Sequence, residues 1–249
     1  MPYKGLRESA CSLSSLSGGE PSVLHSPTIT DFRTAPPGPA MHIAILTFDG
    51  FNELDSLIAL GVLNRIKTPG WRVTLCGPTP EVVSMNGVTV RAQSMLEEAR
   101  TADAVIVGSG LRTREVVADA ALMGRLALDP ARQLVAAQCS GTLILARLGV
   151  LGRVPACTDL TTRPWVQEAG VQVLDQPFFA AGNVATAGGC LASPYLAAWV
   201  IARTEGVPAA EAALHYVAPV GEKAAYVRNA MAHLQPCLPP APRSPRVAP

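Results

Sequence analysis

The stretch Leu134-Val135-Ala136-Ala137-Gln138-Cys139-Ser140-Gly141 contains the pattern that decides the fold. Its first residues form a short, nearly continuous apolar run, which is typical of a parallel strand covered on both faces. The run leads directly into Cys139, and the residues after Gly141 predict a helix that reaches Leu148. A strand, a cysteine and a helix in immediate succession indicate a nucleophile elbow, a sharp turn that lifts the cysteine side chain above the edge of the sheet.

The same alternation of strand and helix extends outward in both directions. Apolar runs predict further strands at 42–48, 71–76, 104–107, 154–158 and 171–174. Helices are predicted at 53–66, 112–128, 191–204 and 208–216, and hairpins at 81–92 and 178–187. Strands that alternate with helices in this way predict an α/β protein, a three-layer sandwich with a mostly parallel central sheet.

The two ends of the chain differ in composition from its centre. Six of the 22 prolines lie in residues 1–40 and six more in residues 236–249, and residues 9–22 are rich in serine. Such segments lack the apolar periodicity of a packed element. We therefore predict a disordered Pro/Ser-rich tail over 1–40, a single domain over 41–235 and a disordered Pro-rich tail over 236–249. Because Met41 opens the first strand, a further hypothesis is that Met41 is the natural start.

Charge and cysteine content exclude several classes of protein. Fifteen basic and sixteen acidic residues leave residues 41–235 with a formal charge of −1, which argues against nucleic-acid binding and against a polybasic membrane surface. No apolar run reaches the roughly 18 residues needed to cross a bilayer, and the N-terminal segment lacks the apolar core of a secretory signal. The six cysteines show no CxxC spacing, so we expect no structural metal site, reduced thiols and a cytoplasmic location.

Candidate chemistry lies where predicted strands end, since ligands bind at the carboxyl ends of parallel strands. Three such ends carry unusual residues, namely 49–55, 108–110 and 138–141. At the start of the following helix, Cys139 would face unpaired N–H groups and the positive end of a helix dipole, which favour a nucleophilic thiolate. The alternative remains open that Cys139 is a small buried side chain that packs between strand and helix.

Four stretches resemble the ThiJ/PfpI family, whose members have a flavodoxin-like, glutamine-amidotransferase-like fold with a cysteine at a strand–helix elbow. They are Ile43-Ala44-Ile45-Leu46-Thr47-Phe48-Asp49-Gly50-Phe51-Asn52-Glu53-Leu54-Asp55, residues 102–110, Cys139-Ser140-Gly141-Thr142-Leu143-Ile144-Leu145-Ala146 with residues 149–151, and residues 182–189. The resemblance covers about two-thirds of the chain. It implies a homodimer that acts on a small molecule and needs neither a metal nor an organic cofactor.

The chain looks most like the isonitrile hydratase branch of that family, which carries an aspartate shortly after the first strand. On this resemblance Cys139 is the nucleophile, Asp55 is the acid and base, and Ser140 replaces a threonine. The implied reaction hydrates an isocyanide to an N-substituted formamide through attack by Cys139. The backbone N–H groups of Gly110 and Ser140 would stabilise developing negative charge. Glu53 is the rival carboxylate, which a helix would direct away from Asp55.

Two departures from the family keep other functions open. Asp159 replaces a histidine that many members carry after the elbow, and Gly108-Ser109-Gly110 replaces a Pro-Gly-Gly turn. The alternatives are a thiol redox or ligand sensor domain without turnover, and a glyoxalase or deglycase that acts on α-oxoaldehydes. Packing is the favoured interpretation of the remaining cysteines of the domain, Cys76, Cys157 and Cys190.

Overall fold

The structure is a computed structural model that describes residues 40–240. Its strands are β1 (Met41–Leu46), β2 (Trp71–Gly77), β3 (Glu81–Val83), β4 (Thr89–Arg91), β5 (Ser94–Met95), β6 (Ala104–Val107), β7 (Leu134–Gln138), β8 (Phe178–Ala181) and β9 (Val184–Ala187). Its helices are α1 (Glu53–Leu63), α2 (Thr113–Ala118), α3 (Ala120–Gly124), α4 (Gly141–Arg147), α5 (Arg163–Glu168), α6 (Ser193–Thr204), α7 (Val207–Val217) and α8 (Lys223–Leu234). Almost all of the predicted N-terminal tail, residues 1–39, and the end of the predicted C-terminal tail, residues 241–249, lie outside the described residues.

The central sheet has seven strands in the order β5-β2-β1-β6-β7-β9-β8. All neighbours pair in parallel except β8 and β9, which form the antiparallel hairpin predicted from the sequence. The hairpin of β3 and β4 forms a separate two-stranded sheet. The predicted mostly parallel sheet is therefore confirmed.

Both faces of the sheet are covered, which explains why its strands read as continuous apolar runs. Successive side chains of β1 alternate between two cores, with Ile43 and Ile45 in one and Ala44 and Leu46 in the other. Helices α1, α6, α7 and α8 cover the first face, while α2, α4, α5 and the 3₁₀ helix Leu96–Arg100 cover the second. This is the predicted three-layer sandwich. None of the helices within residues 40–240 has the length and apolar content to cross a membrane.

The second half of the chain differs from the prediction in its local elements. The helix predicted over 112–128 is broken at Asp119, which adopts an extended backbone and accepts a hydrogen bond from the Leu122 N–H at 2.9 Å, so it caps α3. The strands predicted at 154–158 and 171–174 are wrong, because these segments share only the isolated bridge between Ala156 and Val173.

Several ordered elements were not predicted. Helices α5 and α8 and the two-residue strand β5 carry weaker apolar patterns than the elements of the centre. The ordered chain also continues past the predicted boundary at residue 235. A 3₁₀ helix spans Gln235–Cys237, and Cys237 and Leu238 pack against the core below α8.

Helix α4 approaches the sheet so closely that its first residue must be glycine. A Cβ atom at Gly141 would collide with the carbonyl oxygens of Val107 and Gly108, at the end of β6. This contact places the start of α4 directly against the carboxyl ends of the central strands.

We expect Gly141→Ala to lower the free energy of unfolding by about 1–3 kcal/mol or more, because the backbone of β6 cannot move aside. Gly61→Ala is the matched control, since Gly61 is an exposed position of α1 with open space around it. That control should be neutral or raise stability by about 0.5–1 kcal/mol. Urea unfolding measures both, and equal stability of the two variants would contradict the packing described.

Candidate active site

Cys139 occupies a strained turn between β7 and α4. Its φ of 46° makes it the sole non-glycine residue within 40–240 that has a positive φ. Such a conformation costs roughly 1–3 kcal/mol and persists only where the surroundings enforce it. The Cys139 N–H donates to the Ala187 carbonyl at 2.8 Å, and its own carbonyl accepts a hydrogen bond from the Thr158 hydroxyl at 2.8 Å. The predicted elbow is therefore present, and the side chain is 4% exposed.

Asp55 lies in the first turn of α1, and Asn52 caps this helix because its side-chain oxygen accepts a hydrogen bond from the Leu54 N–H. The Asp55 side chain is 1% exposed. Its Oδ2 accepts a hydrogen bond from the Ser109 hydroxyl, whereas its Oδ1 has no hydrogen-bond partner among the described residues. Its backbone carbonyl accepts from the Ser193 hydroxyl at 2.7 Å, which fixes α1 against α6. A carboxyl group is thus held in the interior with one oxygen uncommitted.

Asp55, Cys139 and Cys190 form one cluster. A carboxylate oxygen of Asp55 and the two Sγ atoms all lie within 4.8 Å of one another. Cys190 belongs to the 3₁₀ helix Cys190–Ala192 that precedes α6, and it is partly exposed. The packing interpretation holds for Cys76 and Cys157, which are fully buried in the interior, but it is wrong for Cys190, which lies in the site.

Burial raises the pKa of Asp55 above its ordinary value, against the opposing hydrogen bond from Ser109. It also raises the pKa of the Cys139 thiol strongly, and the nearby Asp55 adds to this increase. These influences oppose the resting thiolate that is expected at the start of a helix, because a charged sulfur would be buried beside a carboxylate. Helix α4 has only seven residues, and its dipole acts in the other direction, in favour of the thiolate.

The turn after β6 meets the elbow through Ser140. The Gly110 N–H donates to the Ser140 hydroxyl oxygen at 3.1 Å, and the Thr113 hydroxyl lies 2.8 Å from the same oxygen. The Gly110 N–H, which was predicted to stabilise developing negative charge, is therefore already hydrogen-bonded to Ser140 in this structure and is not free for that role. The N–H of Ser140 itself has no acceptor within residues 40–240, so it remains available to a bound molecule.

A cavity of about 320 Å³ opens above Cys139. Its walls are mostly apolar and include Met85, Leu111 and Trp165, and the guanidinium of Arg114 lies 4.8 Å from the centre of the Trp165 ring. Asp159 is also part of the wall and accepts a hydrogen bond from the Thr162 N–H at 2.9 Å. No histidine is among the described residues that line this cavity.

The structure separates the two rival carboxylates. Glu53 accepts hydrogen bonds from the Ser84 hydroxyl and, at 2.9 Å, from the side chain of Asn86. These contacts lower the pKa of Glu53. Glu53 therefore ties α1 to the β3–β4 hairpin, while Asp55 is the carboxylate beside Cys139.

Sequence reasoning missed the roles of Ser109 and Asn52. Ser109 follows β6 at the same sheet edge as Cys139 and holds Asp55, a role that its position at a strand end could have suggested. Asn52 donates to the Cys190 Sγ at 3.1 Å, across 138 positions of the chain, and no local pattern reports such a contact.

The DJ-1/PfpI family model matches residues 41–203, and the chain belongs to that family. Similar solved structures include a ThiJ/PfpI family protein from Pseudomonas syringae, with a TM-score of 0.64 and 19% identity over 85% of this chain and 95% of that chain. DJ-1beta of Drosophila melanogaster has a TM-score of 0.62 and 20% identity over 72% and 97%. A DJ-1 superfamily protein from Salmonella typhimurium has a TM-score of 0.61 and 25% identity over 72% and 99%. Among curated proteins, none matches the chain.

We expect Asp55→Asn to raise the free energy of unfolding at pH 7 by on the order of 1 kcal/mol, because it removes a buried carboxylate. The raised pKa of Asp55 means that the folded state binds the additional proton, so its contribution to stability is lost as pH rises through that pKa. The free energy of unfolding that Asp55→Asn gains over the wild type should therefore grow as pH rises from the ordinary carboxyl pKa to the raised value. In acid this difference should vanish. Urea unfolding across pH measures this.

Glu53→Gln, on the same helix, provides a control of opposite sign. The lowered pKa of Glu53 means that its contribution is present at neutral pH and is lost on acidification. This variant should be less stable than the wild type at pH 7 and equal to it in acid. Identical pH profiles for the two variants would contradict the assigned environments.

Proposed function

We propose that this protein is an isonitrile hydratase-like enzyme, which converts an isocyanide and water into an N-substituted formamide. The observation that carries the proposal is the pairing of Cys139, which lines a mostly apolar cavity, with the buried Asp55, whose carboxylate oxygen lies within 4.8 Å of its sulfur. An isocyanide is a small, weakly polar group whose terminal carbon must receive both a nucleophile and a proton. A thiol beside a carboxyl group supplies both from one place.

In the first half of the reaction the Cys139 sulfur attacks the terminal carbon of the isocyanide. The thiol proton passes through Asp55 to the same carbon, so that an S–C bond and a C–H bond form and the product is a neutral thioimidate. A carboxyl group with a raised pKa suits this transfer, since it can both accept and release a proton near neutral pH. The thiol and the carboxyl group together hold the one proton that the carbon gains along with the sulfur.

In the second half water adds to the thioimidate carbon. Asp55 takes a proton from the water, and the nitrogen receives one, which gives a tetrahedral adduct that bears a hydroxyl group and is still bound to sulfur. The C–S bond then breaks, the hydroxyl proton returns to Cys139, and the formamide leaves. The free N–H of Ser140 lies at the elbow and can donate to the oxygen of this adduct.

Ser109 and Ser140 have positioning roles in this scheme. The Ser109 hydroxyl holds one oxygen of Asp55 and leaves the other oxygen for proton transfer. The Ser140 hydroxyl joins the turn after β6 to the elbow through Gly110 and Thr113. Both contacts favour a fixed distance between the carboxyl group and the sulfur, on which proton transfer depends.

We expect Cys139→Ala to abolish formamide production from an alkyl isocyanide and Asp55→Asn to slow it by about 10²–10⁴-fold, the usual contribution of a general acid–base group. Glu53→Gln is the matched carboxylate control and should retain turnover, since Glu53 contacts the hairpin and not the cavity. Formamide is followed by chromatography or NMR. Turnover by Cys139→Ala at the wild-type rate would overturn the mechanism.

A thiol redox sensor is the second candidate, and the specific observation in its favour is the proximity of Cys139 and Cys190. A hydroperoxide would oxidise one thiol to a sulfenic acid, which the other thiol would attack to form a disulfide with release of water. Absence of turnover by the wild type, together with a peroxide-dependent disulfide between these two residues by mass spectrometry, would favour the sensor.

A further inference from the structure

The proposed hydration uses Asp55 and Cys139 but gives no role to Cys190. Nevertheless the Cys190 Sγ lies within 4.8 Å of the Cys139 Sγ and of a carboxylate oxygen of Asp55. Three side chains with potential ligand atoms thus converge from α1, from the elbow and from the 3₁₀ helix before α6. No step of the proposed hydration requires Cys190.

Asp55 is oriented as a metal-ligating carboxylate usually is. The Ser109 hydroxyl holds Oδ2, and Oδ1 is buried without a hydrogen-bond partner among the described residues. Ligating carboxylates are commonly held in this way by an outer hydrogen bond that leaves one oxygen for the ion. An uncommitted carboxylate oxygen in the interior otherwise has an uncompensated desolvation cost.

The two sulfur atoms also have outer donors. Gln138 Nε2 lies 3.5 Å from the Cys139 Sγ, and Asn52 Nδ2 lies 3.1 Å from the Cys190 Sγ. The Gln138 amide is itself fixed by a hydrogen bond to the Gly189 carbonyl at 2.7 Å. N–H groups directed at sulfur favour the thiolate, which is the form of cysteine that binds a metal.

We propose that Asp55, Cys139 and Cys190 form a binding site for a divalent transition-metal ion of the zinc type. Two thiolates and one carboxylate are a donor set that zinc prefers, with Zn–S distances of about 2.3 Å and Zn–O distances of about 2.0–2.2 Å. Both cysteines line the cavity, so a fourth position would open into it and take water or a small ligand. Three protein ligands with one open position are typical of catalytic zinc sites.

The charge of the cluster supports this assignment. All three groups are at least partly buried, and each of them ionises to an anion. A divalent cation replaces the thiol protons and offsets the negative charge. Binding should therefore release protons and weaken as pH falls.

Zinc in this site would occupy the same sulfur and carboxylate that the proposed hydration uses. Inhibition of turnover by zinc is thus expected, and this part of the inference alone rests on the proposed function. Metal binding itself is measured without any substrate.

The test titrates zinc chloride into reduced, metal-free full-length protein in competition with a chromophoric chelator. We expect the wild type to contain one tight site that Cys190→Ser weakens by more than about 100-fold, since loss of even an outer partner typically costs 10- to 100-fold. Cys237→Ser is the matched control, because Cys237 is also partly exposed and lies outside the cluster. Its affinity for zinc should equal that of the wild type.

A second ligand variant keeps the test decisive if Cys190→Ser folds poorly. Asp55→Asn should also lose the tight site, and cobalt in the wild type should give a thiolate-to-metal charge-transfer band that is reduced in Cys190→Ser. Absence of a tight site in the wild type, or equal affinity in the wild type and in a folded ligand variant, would overturn the assignment. Isocyanide turnover without zinc binding would leave the proposed function intact, and zinc binding without turnover would leave the metal site intact.

Discussion

The positive φ of Cys139 is the constraint on which the rest of the site depends. The turn is held from three sides, by the Ala187 carbonyl, by the Thr158 hydroxyl and by the close contact of Gly141 with the end of β6. Each of these contacts comes from a different part of the sheet or its loops. The parallel sheet therefore enforces the positive φ of Cys139, a conformation that costs roughly 1–3 kcal/mol. This conformation fixes the position of the Cys139 sulfur.

Burial is the second determinant, and it governs the protonation of the site. The same packing that fixes Cys139 removes Asp55 from water, so the pKa values of both groups rise. A carboxyl and a thiol in this state hold a proton between them and can deliver it to a neutral substrate. Because Asp55 lies beside Cys139 and Glu53 instead contacts the β3–β4 hairpin, only one of the two carboxylates of α1 can act in this way.

Prediction from the sequence succeeds where the signal is local. Strands β1, β2, β6 and β7 follow from short apolar runs, and the elbow follows from a cysteine between a strand and a helix; all of these are present, whereas the runs at 154–158 and 171–174 form only an isolated bridge. The break at Asp119 was missed because a capping side chain in an apolar stretch resembles a helical residue. Sequence patterns did not reveal the site contacts of Cys190, Ser109 and Asn52 for a different reason. These contacts join positions far apart in the chain, whereas spacing rules detect only residues that lie close together in one element.

The protonation state of Cys139 at neutral pH tests the account most directly. The difference in thiolate ultraviolet absorbance between the wild type and Cys139→Ala, recorded across pH on reduced, metal-free protein, isolates this one sulfur. The account predicts no thiolate signal from Cys139 near pH 7, together with an S–H stretching band in the infrared that the variant lacks. A thiolate step at or below neutral pH would contradict the account, because burial beside Asp55 would then not raise the pKa of this sulfur.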